Sequence, residues 1–451
     1  MTEMERGKYW NPIIETIPRK EIEELQTKKL IHAVNYAYGN AVHYKKSFKE
    51  AGITPEDVKT MDDFNKLPIL YKDEIRERLQ QTGDPFGGLL AIDFGEKILN
   101  IAASTGTTGV PTVYAYSWHD RKVSSEQDSR LKWMKGYRPG DVFFMVGPRW
   151  HAYASQLFYA MDAMGLTILI DCGYPLPFIS KKHVMTMKSL KPNVYASPNI
   201  SLYSIIEAAK SMNEDPRDVF SCCKLIDAGY GDVLTTAVRK RIEKETGMAS
   251  EKIFDSGGIA EPLWYYGDCE FHMGNHCLDD LFYTNVCDLE THEPLAKGEK
   301  GECIITNLFA ESLPIIRWGT EDMAIQNLEK CNCGRTHSRW TLLGRDAFAA
   351  NIEGTKTFPT EIEDALGDIP GFTEYFTILK YKKGPMEILK LKLAVDETKI
   401  KDQEKFVKEV KSALKKKMGV ESEIEIVKSI ADLPFVGHKV IKLLDLTKEA
   451  E

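Results

Sequence analysis

The spacing of apolar residues divides the chain into a helical beginning, an alternating middle and a compact end. Over residues 22–38 and 43–51 the apolar positions recur every three or four residues, which predicts amphipathic helices within a helical segment of about the first 80 residues. From residue 98 to about 286, short β-branched or aromatic runs alternate with helical stretches. This alternation predicts βαβ units around a mostly parallel sheet.

Several of the predicted strands end in Gly, Ser or Pro clusters. In open α/β sheets, ligands bind outside the carboxyl ends of the strands, so we expect a binding site at that edge. The predicted strands are 142–146, 166–170, 194–196, 225–228 and 252–255, and the predicted helices between them include 155–164 and 234–245.

After residue 345 the sequence is rich in lysine and predicts a compact unit. Its predicted elements are strands at 376–380, 388–395 and 423–427 and a charged helix at 402–418. We therefore predict an α/β protein in which residues 1–344 form a large domain of mostly parallel sheets with flanking helices. Residues 345–347 are predicted to be a hinge, and residues 348–451 a small, mobile α+β lid domain.

Composition narrows the classes of function. The 451 residues are 43% hydrophobic, which is enough for sizeable cores, and the net charge of −8 leaves no global basic field to hold nucleic acid or an anionic membrane. The longest stretch without a charged residue, 98–119, is too rich in Ser, Thr and Gly to span a bilayer. The first 15 residues lack the apolar run of a signal peptide, so we expect a cytoplasmic protein whose nine cysteines are reduced.

A loop at residues 104–112 concentrates hydroxyl groups and glycines after a short apolar segment. Such a loop can present several N–H and O–H donors to a polyphosphate, although it lacks the Gly-Lys-Ser/Thr ending of a P-loop. A turn-rich linker is the alternative interpretation. The candidate phosphate-binding residues are Ser104, Thr105, Gly106, Thr107, Thr108 and Gly109.

Two Cys-containing turns predict a metal site. Cys331 and Cys333 form a Cys-x-Cys turn, and Cys269 stands seven residues before His276. Together they can supply the Cys₃His set of a structural Zn²⁺ ion. Reduced cysteines without metal are the alternative, and the alternative ligands are Cys277, His272 and His337. The other cysteines lie in or beside apolar runs and are expected to be buried: Cys172, Cys222, Cys223, Cys287 and Cys303.

The loop at 104–112 is one of several motifs that occur in a fixed order. Together they resemble the phenylacetate-CoA ligase branch of the adenylate-forming synthetases, over nearly the whole chain. The motifs are residues 9–12 (Tyr-Trp-Asn-Pro), 67–68 (Leu-Pro), 84–91, 104–112, 137–141, 258–261 (Gly-Ile-Ala-Glu), 317–322 (Arg-Trp-Gly-Thr-Glu-Asp), 331–337 and 344–345 (Gly-Arg).

The resemblance implies an ATP-dependent acid-CoA ligase. Such an enzyme forms an acyl-AMP with release of pyrophosphate and then a CoA thioester, and an aryl or arylacetic acid is the first expectation for the substrate. ATP, Mg²⁺ and CoA are the implied cofactors, and structural Zn²⁺ is favoured. A homodimer is compatible with the sequence. Two alternatives stay open: an adenylating synthetase without CoA, of the deazaflavin-adenylating or acyl-protein type, and a nucleotide-binding homologue with impaired catalysis.

The resemblance also assigns roles to individual residues. Glu261, after a predicted strand and a predicted Gly-Gly turn, is implied to bind Mg²⁺. Asp322, after a predicted strand at 313–316, is implied to hold the AMP ribose with Arg345. Lys439 in the C-terminal tail is the implied lysine of the adenylation step, with Lys442 as the alternative. The other implied nucleotide contacts are Ala228, Gly229, Tyr230, Gly257 and Gly258, and the implied acid pocket contains His151, Tyr153 and Phe158.

The chain departs from the family pattern at four positions. Gly257 stands where relatives carry an aromatic residue, and Ala260 stands where they commonly have Thr or Ser. Val110 replaces a frequent Lys, and His438 replaces a usual Gly. These departures motivate the alternative of impaired catalysis.

Overall fold

The structure is a computed structural model that describes residues 7–95, 97–103, 112–146, 152–170, 177–230, 233–352, 355–383, 386–419, 421–427, 429–436 and 439–446. Its helices are α1 (Pro12–Glu15), α2 (Arg19–Asn40), α3 (Val42–Ala51), α4 (Met61–Asn65), α5 (Lys72–Thr82), α6 (Trp118–Lys135), α7 (Ala152–Met164), α8 (Pro177–Leu190), α9 (Asn199–Ser211), α10 (Pro216–Phe220), α11 (Thr236–Thr246), α12 (Pro359–Leu366) and α13 (Gln403–Met418). Its short 3₁₀ turns are Pro55–Asp57, Ser250–Lys252, Asp346–Phe348, Glu397–Lys399 and Ile430–Asp432.

The strands follow the same chain order. They are β1 (Ile98–Ala103), β2 (Val113–Ser117), β3 (Val142–Met145), β4 (Thr167–Ile170), β5 (Val194–Ala196), β6 (Leu225–Gly229), β7 (Ile253–Ile259), β8 (Trp264–Gly267), β9 (Asn275–His276), β10 (Phe282–Cys287), β11 (Lys300–Asn307), β12 (Trp318–Asn327), β13 (Arg339–Arg345), β14 (Ala350–Ile352), β15 (Thr355–Thr357), β16 (Phe372–Lys383), β17 (Met386–Val395), β18 (Ser422–Val427), β19 (Phe435–Val436), β20 (Lys439–Val440) and β21 (Leu443–Asp445).

The chain forms two compact units. The larger unit contains Met1–Asp232, Glu245–Thr320 and Ala324–Thr341, and the smaller unit contains Val233–Lys244, Glu321–Met323 and Leu342–Glu451. The predicted hinge coincides with a 3₁₀ turn at Asp346–Phe348, just after the smaller unit's main segment begins. Its rotation stays a prediction.

The largest sheet has the strand order β10-β11-β12-β13-β9-β8-β7-β6-β5-β3-β4 within the described residues. Strands β3 to β7 are parallel and alternate with helices in the sequence, whereas β8, β9 and β13 continue the sheet with antiparallel pairings. The predicted α/β architecture is therefore confirmed, with antiparallel strands extending its parallel half.

Helix α6 packs behind this sheet and carries polar side chains that reach the site. Ser117 caps its first turn by accepting from the backbone N–H of Asp120, and Gly136 ends it with a φ of +100° that favours glycine. The end of the helix is buried, and it includes the side chains of Lys132 and Lys135. The helix therefore delivers two ammonium groups to the sheet interior.

The smaller unit has a four-stranded sheet in the order β18-β17-β16-β21. Helix α13 covers it, because Phe406, Val410 and Leu414 recur at helical spacing and are all buried in its core. Asp402 caps the first turn of α13 by accepting from the N–H of Lys405. This arrangement confirms the predicted α+β character of the C-terminal region.

Three local predictions are wrong. Residues 313–316 are not a strand, because the strand begins at Trp318 and Asp322 lies inside it. The predicted Gly-Gly turn at Gly257 and Gly258 is part of β7, which continues to Ile259. Cys222 is only half-buried, although an apolar run precedes it.

No helix among the described residues combines the length and apolar character that a membrane span needs.

Candidate functional site

The carboxyl ends of β6 and β7 bring together the predicted nucleotide residues. Gly229 on β6 pairs with Ser256 on β7, and the backbone N–H of Tyr230 donates to the carbonyl oxygen of Ser256 at 2.5 Å. Tyr230 has a φ of +49°, which is uncommon for a residue with a side chain. The turn Ala228-Gly229-Tyr230 and the strand residues Gly257 and Gly258 therefore line one edge of the sheet.

A buried charge cluster lies beneath this turn. Asp227 accepts from Lys132 Nζ at 2.6 Å and from Lys135 Nζ at 2.8 Å. Tyr137 and Tyr230 donate to the same carboxylate at 2.9 and 3.1 Å. Burial would raise the pKa of Asp227, but the two ammonium groups hold that pKa well below its usual range. The cluster fixes the Tyr230 side chain, and it was not predicted from the sequence.

The ring of Tyr266 fills the space beside Gly257. The two residues are paired across the antiparallel strands β7 and β8, so their side-chain directions share one face of the sheet. A Cβ atom on residue 257 would stand 2.1 Å from the Tyr266 hydroxyl oxygen and 2.3 Å from its Cζ. Gly257 is thus required by packing, and an aromatic ring from the neighbouring strand occupies the place of its missing side chain.

Glu261 lies two residues beyond the end of β7 and is held by two donors. Lys72 Nζ and the Tyr114 hydroxyl each donate to its Oε1 at 2.8 Å. Its side chain is 11% exposed. Within the part of the chain that the structure describes, Oε2 accepts no hydrogen bond, so one carboxylate oxygen is available to a ligand. Neither Lys72 nor Tyr114 was predicted from the sequence.

The segment that carries Lys72 is anchored to the strand that carries Asp322. The backbone of Leu70 donates to Arg317 at 2.8 Å and accepts from Gly319 at 3.0 Å, as an added parallel bridge beside β12. The neighbouring Tyr71 hydroxyl donates to Glu302 at 2.9 Å. These contacts fix the first residue of α5 opposite Glu261.

A small, mostly apolar cavity adjoins Glu261. Glu261 is the one charged residue in its walls, and Thr112 and Tyr114 each carry a hydroxyl group. The other lining residues are aliphatic or aromatic. The lining residues are Ile75, Phe86, Leu89, Thr112, Val113, Tyr114, Glu261, Leu313 and Ile315. The cavity has a volume of about 10 Å³, which is room for about one water molecule, so it is not a substrate pocket in this conformation.

Asp322 and Arg345 lie together in the smaller unit. The Arg345 Nε stands 3.8 Å from Asp322 Oδ1, and the two side chains are 50% and 26% exposed respectively. So long and exposed an ion pair contributes little to stability. With 26% of its side chain exposed, Asp322 reaches the surface of the smaller unit.

The remaining predicted residues are described only in part. Residues 104–109 and His151 lie outside the described residues, and only the backbone of Tyr153, within α7, is described. Phe158 lies on α7 and is half-buried. Lys439 begins β20, where its backbone pairs with Val436. Their predicted contacts stay predictions.

The four predicted metal ligands converge on one point. The ligand atoms of Cys269, His276, Cys331 and Cys333 all lie within 4.8 Å of one another, and all four residues are buried. The Cys269 and Cys331 sulfurs are 3.7 Å apart, and the Cys333 sulfur is 3.6 Å from His276 Nε2. Ligands at about 2.0 to 2.3 Å from a tetrahedral Zn²⁺ ion stand roughly 3.3 to 3.8 Å apart, so the geometry fits such an ion.

Hydrogen bonds between the cysteine sulfurs of this cluster change their pKa values. Hydrogen bonding among the three sulfurs raises the pKa of Cys269 and lowers the pKa values of Cys331 and Cys333, that of Cys333 to about 7. Thiolates are the form in which cysteine binds metal.

The alternative metal ligands have other partners. The Trp264 indole N–H donates to the Cys277 sulfur at 3.1 Å, and His272 pairs with Asp268 at 2.5 Å. The His337 ring contacts the carbonyl oxygen of Ile14 at 2.7 Å. The structure therefore separates these three side chains from the cluster.

The N-terminal segment docks on the turn that carries Cys331 and Cys333. Arg335 Nε donates to Glu15 Oε2 at 2.7 Å, and the two side chains are 3% and 0% exposed. Thr336 Oγ1 donates to the carbonyl oxygen of Ile17 at 2.6 Å, and Tyr9 donates to that of Cys333 at 3.2 Å. The turn that carries the cluster thus supports the packing of α1.

Comparison with known proteins relates this chain to one group of enzymes. The family described as "AMP-binding enzyme C-terminal domain" matches residues 354–446. The phenylacetate-coenzyme A ligase of Thermus thermophilus is 29% identical over 396 residues, which cover 86% of this chain and 84% of that enzyme. The Escherichia coli enzyme of the same name is 25% identical over 446 residues, or 96% of this chain and 97% of its own. Sequence similarity over most of the chain thus supports a relationship to the phenylacetate-CoA ligases, and the C-terminal residues match a family of AMP-binding enzymes.

Solved structures support the same fold. One is a crystal structure of 2-hydroxyisobutyryl-CoA ligase in the postadenylation state in complex with R3-HIB-AMP. The match covers 97% of this chain and 92% of that chain, with a TM-score of 0.87 and 23% sequence identity. The same ligase with 2-HIB-AMP and CoA in the thioesterification state matches with a TM-score of 0.71 at 24% identity and the same coverage. At these identities the likeness shows the fold alone.

Proposed function

We propose that this protein is an ATP-dependent acid-CoA ligase that activates a carboxylic acid as an acyl-AMP and then forms a CoA thioester. The relationship to phenylacetate-CoA ligases over most of the chain carries the proposal. Two features of the site support it: Glu261 Oε2 accepts no hydrogen bond within the described residues, and Gly258 is exposed near the end of β7. An aryl or arylacetic acid is the proposed substrate.

The proposed nucleotide contacts divide the work of activation. Glu261 would hold Mg²⁺ through its available Oε2, since Mg²⁺ is commonly bound by one or two carboxylates and by substrate phosphates. That ion would neutralise charge on the phosphates. Asp322 would accept from the ribose hydroxyls, with Arg345 beside it. The 104–109 loop would donate to the phosphates, and the adenine would lie against the sheet edge of Ala228, Gly229, Tyr230, Gly257 and Gly258.

The acid and the mobile lysine complete the proposal. His151, Tyr153 and Phe158 would line the pocket for a flat acid. Lys439 would approach the α-phosphate during adenylation and leave before CoA binds, by rotation about residues 345–347. Lys442 is less suited to that task, because its ammonium already pairs with Glu363 at 2.9 Å and lies over the Phe376 ring. A cytoplasmic location and a homodimer stay predictions.

Acid activation can be tested before the substrate is identified. Aryl, arylacetic and aliphatic acids are screened with ATP and Mg²⁺, and pyrophosphate and AMP are measured with and without CoA. We expect pyrophosphate release with an aryl or arylacetic acid and AMP release that depends on CoA. Pyrophosphate without CoA-dependent AMP would indicate another acceptor, and no pyrophosphate with any acid would contradict the proposal.

We further propose that Cys269, His276, Cys331 and Cys333 hold one structural Zn²⁺ ion. The role of the ion would be to fasten the turn that receives the N-terminal segment, with no ligand position left for substrate. Elemental analysis of protein purified without chelator should give one zinc per chain. Cys331→Ser should lose that zinc, whereas the control Cys277→Ser, outside the cluster, should keep it. Active, well-folded protein without zinc would contradict the assignment.

A further inference from the structure

Two lysines on helix α6 hold the same buried carboxylate. Lys132 Nζ lies 2.6 Å from Asp227 Oδ2, and Lys135 Nζ lies 2.8 Å from Asp227 Oδ1. The three side chains are at most 1% exposed. Residues three apart share one face of a helix, which is why both ammonium groups reach the same strand, β6. Two cations therefore share one anion, and removal of either lysine leaves Asp227 with an ion-pair partner.

The two lysines differ in their remaining contacts. Lys132 Nζ donates to the Tyr230 hydroxyl at 2.8 Å and to Ser256 Oγ at 3.2 Å. Lys135 Nζ instead donates to the carbonyl oxygen of Asp255 at 2.5 Å and to Ser256 Oγ. Among the described residues, the contact with Tyr230 thus belongs to Lys132 and not to Lys135, and it distinguishes two otherwise similar side chains.

Tyr230 connects this cluster to the 228–230 turn, where the adenine is proposed to bind. Its hydroxyl lies in the cluster and also donates to Asp227 at 3.1 Å, but the residue as a whole is only half-buried. Its φ of +49° is uncommon for a residue with a side chain and persists only where the surrounding structure holds it. The bond from its backbone N–H to Ser256 holds one end of the residue, and the hydroxyl contacts hold the other.

Lys132 is placed to act on the turn without contact with a ligand. Its side chain is 1% exposed, so its ammonium group lies out of reach of a ligand at the protein surface. Its hydrogen bond to Tyr230 is charge-assisted, and such bonds are stronger than those between neutral groups. Without that bond the Tyr230 hydroxyl is held less firmly, and the turn loses a contact that fixes its conformation.

We propose that Lys132 is a positioning residue for nucleotide binding, which holds the 228–230 turn, through the Tyr230 hydroxyl, in the conformation that accepts adenine. This inference rests on the proposed function, because that function places the adenine at this turn. A turn that is already ordered before the ligand arrives costs less free energy to order on binding. Lys132 therefore increases the affinity for adenine nucleotides and leaves the rate of the chemical step unchanged.

The test compares Lys132→Met, Lys135→Met and Tyr230→Phe by calorimetric titration, first with ATP and Mg²⁺ and then with AMP. Lys132→Met should weaken the binding of both nucleotides by about tenfold, which is the scale of one hydrogen bond to a charged group. Tyr230→Phe should have a similar effect, and the double variant should bind no more weakly than either single variant. Lys135→Met is the matched control, because it removes the same charge from the same carboxylate, and it should change affinity by less than about twofold.

Two further measurements separate positioning from a general loss of structure. In urea unfolding, Lys132→Met and Lys135→Met should be destabilised by similar amounts, although only Lys132→Met loses nucleotide affinity. In the pyrophosphate assay, Lys132→Met should raise the KM for ATP by about tenfold and change kcat by less than about twofold. A lower kcat with an unchanged KM would overturn the inference.

The outcomes distinguish this inference from the proposed function. Unweakened ATP binding in Lys132→Met, or an equal loss in Lys135→Met, would overturn the positioning role and leave the proposed function standing. Failure of the unmodified protein to bind ATP would overturn both. If Lys132→Met fails to fold, the result for Tyr230→Phe decides, because that variant removes only the hydroxyl group to which Lys132 donates.

Discussion

The contact between Gly257 and Tyr266 gives the sharpest prediction. The backbone of Gly257 does not have the positive φ that excludes other residues, so only the ring of Tyr266 prevents a side chain there. Gly257→Ala places a methyl group 2.1 Å from the Tyr266 hydroxyl oxygen, and the ring must move. Overpacking of this kind costs about 1 to 3 kcal/mol of the free energy of unfolding. In a strand interior, alanine otherwise stabilises by about 0.5 to 1 kcal/mol relative to glycine.

A double-mutant cycle isolates this contact. Gly257→Ala should destabilise the unmodified protein by about 1 to 2 kcal/mol in urea unfolding, but should be neutral or stabilising in the Tyr266→Ala background. Tyr266→Phe should not relieve the clash, because Cζ would stand 2.3 Å from the new methyl group. The control is Gly39→Ala, which meets open space in α2. An equal cost of Gly257→Ala in both backgrounds would refute the steric explanation. If the adenine lies at this edge, Gly257→Ala should also raise the KM for ATP.

Three further changes test the proposed chemistry and the N-terminal packing. Lys439→Ala should reduce adenylation by at least about 100-fold and spare thioester formation from supplied acyl-AMP. The control Lys442→Ala should affect neither half-reaction so strongly. Equal loss in both half-reactions of Lys439→Ala would indicate another role for Lys439. Glu261→Gln should lower Mg²⁺-dependent pyrophosphate release by about 100-fold and weaken the binding of Mn²⁺-ATP measured by electron paramagnetic resonance, and unchanged metal binding would contradict the assignment. Arg335→Met should lower the free energy of unfolding by about 3 to 5 kcal/mol, because it leaves the fully buried Glu15 carboxylate without its positively charged partner. Adding Glu15→Gln should recover part of that loss, as measured by urea unfolding.

Local sequence patterns were enough to predict the parallel strands β3 to β7 and, in the smaller unit, strands β16 to β18 and helix α13. The predicted strand at 194–196 matches β5, and the predicted helix at 402–418 differs from α13 only by its capping residue, Asp402. Such elements are defined by periodicity and by caps, which lie within a few residues of one another. The error at 313–316 has the opposite origin. An apolar run of four residues can be a buried loop, and here Ile315 and Ile316 pack in the core without strand pairing.

The cluster of Cys269, His276, Cys331 and Cys333 could be predicted from the sequence because few residue types bind zinc. Cysteine and histidine are scarce, and two paired turns of them restrict the choice of ligands strongly. The sequence favoured Cys269 and His276 but left Cys277, His272 and His337 open as alternative ligands. That choice depends on the direction of each side chain, and the structure provides it through the indole of Trp264, which occupies the Cys277 sulfur.

The partners of Glu261 and Gly257 could not be found in the same way, because they come from distant or paired segments without a motif of their own. Lys72 is 189 residues from Glu261 in the sequence, and it arrives there only because Leu70 and Tyr71 attach to β11 and β12. Tyr266 reaches Gly257 through a strand register that apolar residues alone do not fix. The departure at Gly257, which suggested impaired catalysis when only the sequence was considered, therefore has a structural cause that does not require it. An aromatic ring is still present at that position, supplied by β8 instead of β7.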